Sequence, residues 1–442
     1  MSLLNGAELL NEQSLKALVP LVRMFDNGQI MRFLPSLPPP LRRALHIFSS
    51  VPGRDSAYYL LNLIRHLDRR EDRAWFQRRL RSHFVRPILR SEKARWALRQ
   101  NARLRGISSL IITPTVQCNL RCTHCYNLYE IHEQRNDHLP EATIDRMIEE
   151  GKALGAYRVS FIGGEPLIRW QMIERMVRAH EDVLFTVITN GTLLTEPISK
   201  ALAQHHNLEL SFSVDGFEAL HDKMRGEGQW RLTLDAMKMY HDHGGMVMFS
   251  PTVTSENYQD ILSDEFLALM AERGAYMGYL HHYDLVGGQA SVALLLDAKQ
   301  LAWMQSRIEH IHKQGTMSIL SNVLSNLVVG GCPAAREFVH VNHKGDVEPC
   351  CMVPFAGMNV ESHSLKEILN SKFFQRIIDA EPDEQGIRRC LVGQSSHVLK
   401  DALQADEARA TTLEGLSVLH HHEAEFATAL PTCFCHKPDE LG

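Results

Sequence analysis

The sequence contains no apolar run approaching the ~20 residues that a membrane-spanning helix requires. Its first residues lack the basic, apolar and small-residue succession of a secretory signal. Internal repeats and low-complexity segments are also missing. Cysteine is absent before residue 118 and again between residues 125 and 332. Neither sign of charge dominates: 47 basic residues face 52 acidic ones, a net of −5, so the molecule as a whole is not built to bind polyanions such as nucleic acid. These absences together predict a cytoplasmic protein.

What is present is ordinary in bulk. A length of 442 residues allows two or three domains, and 44% hydrophobic with 22% charged residues suits a globular chain. The nine cysteines are unevenly placed, at 118, 122 and 125, then at 332, 350, 351, 390, 433 and 435. In a reducing compartment clustered thiols act as ligands or reactive groups rather than as disulfides. The wide gap predicts two separate sites.

Residues 1–105 read as a helical extension, with Leu15, Leu18, Val19, Val22, Met31 and Phe33 in helical spacing and a break at Pro35, Pro38, Pro39 and Pro40. Between residues 65 and 105 there are 14 Lys or Arg against 4 Asp or Glu, interleaved with Trp75, Phe76, Phe84 and Trp96. A solvated helical face with a few core aromatics explains this pattern. So does an amphipathic surface for anionic lipid or an acidic partner, which adds a peripheral position at the inner membrane surface to the expected location.

From residue 107 the pattern becomes strand–helix alternation. Strands are predicted over 110–113, 158–162, 184–189, 208–214, 246–252 and 276–280, with helices near 141–155, 170–181, 195–206, 231–243 and 261–273. Six such units imply a parallel sheet, too few for a closed eight-stranded barrel. The expected fold is therefore α/β: a partial (βα)6 TIM-like barrel over 106–315, behind the helical, basic extension of 1–105. A small cysteine-bearing C-terminal domain with a helical tail occupies 316–442, with a hairpin-like unit around Val339, Val341, Gly345 and Val347. Functional residues in such folds collect at the carboxyl ends of the strands.

Cys118-x-x-x-Cys122-x-x-Cys125 follows the first predicted strand. Three thiolates on one loop can cap three irons of a cubane and leave the fourth open. Structural zinc prefers four closed ligands, often as two CxxC pairs, and ordinary ferredoxin sites use four thiolates. Downstream lie Gly163-Gly164-Glu165-Pro166 after the second strand, Thr189-Asn190-Gly191-Thr192 after the third, and Ser213-Val214-Asp215-Gly216 leading to Arg225 after the fourth. Together these stretches resemble the radical S-adenosylmethionine (SAM) superfamily.

The resemblance implies a [4Fe–4S] cluster on Cys118, Cys122 and Cys125, with SAM on its open iron. It implies SAM contacts at Tyr126, Gly163, Gly164, Glu165, Pro166, Asn190, Ser213 and Arg225, the arginine gripping the carboxylate. Glycines there would let backbone approach the ligand, and Glu165 would lie near the methionyl amine. Reductive cleavage of SAM would give a 5′-deoxyadenosyl radical that abstracts hydrogen from an unactivated C–H bond. An electron donor of flavodoxin or ferredoxin type is implied as partner.

Cys332, then Gly345 and Cys350, and later Cys390 resemble the start of a SPASM or twitch extension, which implies one auxiliary [4Fe–4S] cluster on Cys332, Cys350 and Cys390. Zinc on the same residues is the competing reading, and Cys351 is expected to be a bystander. His420, His421, His422, Cys433, Cys435 and His436 form a weaker metal candidate in the tail. Residues 274–283, 330–332 and 364–369 resemble a bacterial group with helical extensions, some of whose members act on membrane lipids. His281, His282 and Asp284 depart from that group; His281 and His282, at the barrel mouth, either pack and hydrogen-bond within the barrel or meet substrate. The expected function is thus a radical SAM oxidoreductase or C–C-bond-forming enzyme acting on a lipid or other membrane-associated substrate. The alternative is a peptide- or protein-modifying radical SAM/SPASM maturase, and a non-enzymatic iron–sulfur carrier is the remaining option. No catalytic residue on the substrate side is predicted.

Overall fold

Strand β1 (Ser109–Ile112) enters the core with Leu110 and Ile112 fully buried. The computed structural model describes residues 86, 87, 90, 91, 94, 98, 106–127, 138–286, 291–322, 331–380, 382, 390–392 and 395–412. The tail metal candidate and nearly all of the N-terminal extension lie outside them. From β1 the chain alternates as expected: α1 (Glu141–Ala153), β2 (Arg158–Phe161), α2 (Trp170–Ala179), β3 (Leu184–Thr189), α3 (Glu196–Ala203), β4 (Leu208–Phe212), α4 (Glu218–Arg225) and α5 (Gln229–Asp242). Next come β5 (Met246–Phe249), β6 (Thr252–Val253), α6 (Asp264–Glu272) and β7 (Ala275–His282).

The helices form where sequence dictates. Met172, Ile173, Met176 and Val177 put one apolar stripe of α2 onto the sheet. Ser263 caps α6 by accepting from the Phe266 amide. Strand β4 is buried throughout, as a central parallel strand covered on both faces must be. The strand expected over 246–252 is interrupted by Pro251, which has no amide to donate, and divides into β5 and β6.

Neighbouring strands run in the order β1-β2-β3-β4-β5-β7-β6, all parallel: an open, partial TIM-like barrel. Three further strands extend it. After α7 (Ala298–Gln314), β8 (Ser318–Ser321) pairs with β7. At the other edge β9 (Phe338–Val341) pairs with β1 in parallel, Leu110 against Val339, and β10 (Val347–Glu348) folds back on it as the expected hairpin. All three added strands fall within 316–442, so that segment shares one sheet with the barrel.

Inside the barrel Glu209 is fully buried and accepts from Thr186 Oγ1 at 2.5 Å and Tyr276 Oη at 2.7 Å, with Arg158 at 3.6 Å. These donors satisfy a charge that would otherwise be costly to bury. The described positions between 86 and 98 are helical and dock on the barrel. Arg86 bonds Glu181 at 2.9 Å, and Arg90 reaches Asp182 and the carbonyls of Lys152 and Ala156. No helix among the described residues is long and apolar enough to cross a membrane.

Candidate radical-cluster site

The cysteine loop leaves the carboxyl end of β1 and is held at both ends. On its first half, the Gly164 amide donates to Thr115 O (3.0 Å) and the Glu165 amide to Gln117 O (2.7 Å). Asn119 accepts from Asn190 Nδ2 (3.0 Å) and donates to Thr192 Oγ1 (2.7 Å). The ends of β2 and β3 therefore grip the residues around Cys118.

This contact accounts for the paired glycines. A Cβ on Gly163, whose φ is +127°, would stand 2.6 Å from Thr115 O, and one on Gly164 would collide with the backbone of Val116 and Gln117. The glycines allow two loops to touch, a requirement separate from any approach to a ligand.

Glu165, only 1% exposed, spends its carboxylate on protein donors: the Leu167 amide (2.9 Å), Thr189 Oγ1 (2.7 Å) and the Asn190 amide (2.8 Å). Burial raises its pKa, and these donors oppose the rise. Its side chain ties β2 to β3. Pro166 opens a short 3-10 turn behind it, and Ser213 sits buried at the end of β4 with its amide on Thr189 O.

The loop's second half meets α4. Thr123 donates from its amide to Met224 O (3.0 Å), and Arg225 Nη1 lies 4.0 Å from Cys122 Sγ. Arg225 also clasps Asp215 through Nε (2.5 Å) and Nη2 (3.3 Å). Burial works to raise Asp215, but the charge and hydrogen bonds of Arg225 outweigh it and hold the carboxyl below its ordinary range. Burial lowers both His124 and His221 to about 4, so both imidazoles are neutral. Neither Asp215 nor His124 was marked as functional by motif spacing. The available signal was an acidic residue just beyond the end of a fully buried strand.

Burial pushes Cys118 up to about 11 and Cys125 up to about 12, and Cys122 rises too, opposed by Arg225. Cys118 is near enough to feel Cys122, and Cys125 to feel both, although no three His, Cys, Asp or Glu among the described residues are drawn into a closed metal-holding group. Three partly buried thiols on one tethered loop, with a guanidinium beside one of them, fit an iron–sulfur cluster that leaves one iron to another ligand.

The second cysteine set lies nearby. Burial, then the Cys350 charge, raises Cys332 to about 12, placing these two thiols together. Cys350 is raised first by its hydrogen bond with Cys351 and then by burial. Cys390 packs against the hydrophobic core and accepts from the Ser395 amide at 2.9 Å. Tyr126 lies between the two sets: burial raises its hydroxyl, followed by the charges of Cys351 and Cys125.

At the far side of the barrel mouth His281 tilts over Tyr279, ring centroids 4.8 Å apart, and is lowered to about 4 by burial, with Asp215 and Arg225 as its charged neighbours. His282 bonds Ser321 Oγ at 2.9 Å, and burial raises Asp284 to about 6.

Comparison with known proteins agrees with this geometry. The profile of the radical SAM superfamily matches residues 112–267, and that of the SPASM iron–sulfur cluster-binding domain matches residues 332–391. A PqqA peptide cyclase of Gluconobacter oxydans is 30% identical over 279 residues, 59% of this chain and 76% of the relative. An AdoMet-dependent heme synthase of Methanosarcina barkeri is 26% identical, covering 60% of this chain and 83% of its own. The fold is similar to Streptococcus suis SuiB bound to its precursor peptide SuiA, with TM-score 0.55, 19% identity, and 66% and 71% of the two chains covered. The chain belongs to the radical SAM superfamily, as an enzyme using a [4Fe–4S] cluster and SAM, and its C-terminal part is an iron–sulfur cluster-binding SPASM domain.

Proposed function

We propose that this radical SAM enzyme modifies a peptide or protein, and that Cys118, Cys122 and Cys125 hold its radical-generating cluster. The observation that carries the substrate class is the 30% identity to a peptide cyclase across 76% of that relative. When bound, the cluster and SAM supply a 5′-deoxyadenosyl radical able to take hydrogen from an unactivated C–H bond. The chain's own residues do the positioning. Gly163, Gly164, Glu165 and Pro166 brace the loop, Asn190 and Ser213 present polar atoms at the ends of β3 and β4, and Tyr126 closes the side toward the second thiol set. Arg225 keeps its outer edge for an anionic group while its inner edge is held by Asp215.

On this reading residues 106–315 perform the radical chemistry. Residues 316–442 hold an auxiliary cluster on Cys332, Cys350 and Cys390, and a flavodoxin- or ferredoxin-type protein supplies electrons. The lipid expectation has less support: Arg86 and Arg90, the described arginines of the basic segment, are spent on the barrel.

The test is anaerobic reconstitution with iron and sulfide, then dithionite and SAM. Formation of 5′-deoxyadenosine supports the reading; its absence from cluster-loaded protein overturns it. Candidate precursor peptides, phospholipid vesicles and porphyrins are then offered in parallel. A mass change confined to a peptide supports the substrate class, and one confined to lipid or porphyrin refutes it.

A further inference from the structure

Asp215 is completely buried at the carboxyl end of β4, yet it takes no part in the barrel floor and belongs to no cysteine motif. Its surroundings are crowded with donors. Arg225 Nε approaches Oδ2 at 2.5 Å and Nη2 approaches Oδ1 at 3.3 Å; the Thr252 amide donates to Oδ1 at 2.8 Å. His124 Nε2 stands 3.6 Å from Oδ2. The backbone of Asp215 is pinned as well, its amide on His221 Nδ1 (3.3 Å) and its carbonyl on Asn257 Nδ2 (3.0 Å). A carboxylate with this many fixed partners is a rigid reference point.

Three consecutive residues of the cysteine loop depend on that point. Cys122 is reached by Arg225 Nη1 at 4.0 Å, Thr123 hangs from Met224 O, the residue before Arg225, and His124 faces Asp215 itself. Arg225 is the last residue of α4, and its largely buried side chain is turned onto Asp215. Side-on clasping by Asp215 uses Nε and one edge of Nη2, which leaves Nη1 turned toward sulfur.

We propose that Asp215 is the positioning residue of the cysteine loop: it orients Arg225 against Cys122 and retains His124, and so sets the geometry and the local charge around that ligand. It acts through its neighbours and touches no reacting atom. Part of this inference rests on the reading that the loop carries the cluster.

Asp215→Asn keeps the shape and removes the charge. In the full-length chain, hydrogen exchange of the Thr123 and Cys125 amides is expected to accelerate about tenfold, the effect of losing one charge-assisted hydrogen bond. Exchange along 208–212 should stay unchanged. In reconstituted protein the cluster's reduction potential, read by EPR-monitored titration, should rise, because a negative charge beside it is gone. Glu209→Gln serves as the control, a buried paired carboxylate remote from the loop, and should alter neither readout.

Parental loop exchange and potential in Asp215→Asn would overturn the proposal, as would equal acceleration in Glu209→Gln. If Asp215→Asn fails to fold, His124→Gln tests one arm: faster exchange at Thr123 supports the proposal and parental exchange refutes it. The exchange measurement needs no cluster, so faster loop exchange in a protein whose Cys122→Ala variant still cleaves SAM would sink the cluster assignment and leave the anchor standing.

Discussion

Thr113 and His340 are 227 residues apart in sequence, and Thr113 Oγ1 lies 2.8 Å from His340 Nε2. The other ring nitrogen bonds Glu348 at 2.7 Å, and Glu348 also accepts from Asn342 and Thr411. Thr113 precedes the first cysteine loop and Glu348 precedes Cys350, so one buried chain of polar groups spans the two thiol sets. His340→Ala strips a buried carboxylate of its ring donor and should cost roughly 2 kcal/mol, within the range for a hydrogen bond to a charged group. Urea unfolding measures this; a loss under about 1 kcal/mol would show that water replaces the imidazole.

Gly164→Ala places a Cβ against backbone atoms of Val116 and Gln117, which cannot rotate away. The loop must shift, and displacement near 1 Å suffices to lower 5′-deoxyadenosine formation about a hundredfold. Gly228→Ala is the comparison. Nothing lies within 4 Å of its Cβ, so it bears only the strain of φ +76° and should keep the activity. Equal rates for both variants would remove the packing explanation.

Cys332→Ser and Cys350→Ser are each expected to reduce iron from about eight to about four per reconstituted chain, as loss of one [4Fe–4S] cluster requires. Cys351→Ser should leave iron unchanged. Iron quantitation with zinc measured alongside decides between cluster and zinc on this set.

Burial holds His282 at about 3 in the folded chain, against 6.5 when unfolded. Below about pH 6.5 the unfolded state therefore binds a proton that the folded state refuses, and stability falls with pH, by at most about 1.4 kcal/mol per unit. Unfolding of cluster-free protein between about pH 7.5 and about pH 4.5 should show this slope. His282→Gln, which can still bond Ser321, should flatten it by about one proton; an unchanged slope would place the titration elsewhere.

The six barrel strands and five helices were legible because each carries its own periodicity and is punctuated by Gly, Pro or a cap. The pairing of β9 with β1 was not, since parallel partners far apart in sequence leave no local mark on either strand. Strand β8 went unseen for a related reason: Ser318 to Ser321 is four residues with two serines, too short for alternation to register. At the site, residue identities were readable and their allegiances were not. Glu165 and Arg225 could be assigned to a ligand from sequence, but only the fold reveals that Glu165 serves the ends of β2 and β3 and that Asp215 already holds one side of Arg225. Such partnerships depend on burial and approach angle, which spacing does not encode.

The seat of β9 beside β1 also bears on how the molecule is made. During synthesis β1 emerges more than two hundred residues before the strand that covers its edge. Until residue 341 has left the ribosome, that edge offers unpaired amides and carbonyls to any passing strand. Chains truncated before β9 would thus retain every residue of the first cysteine loop and yet be prone to self-association.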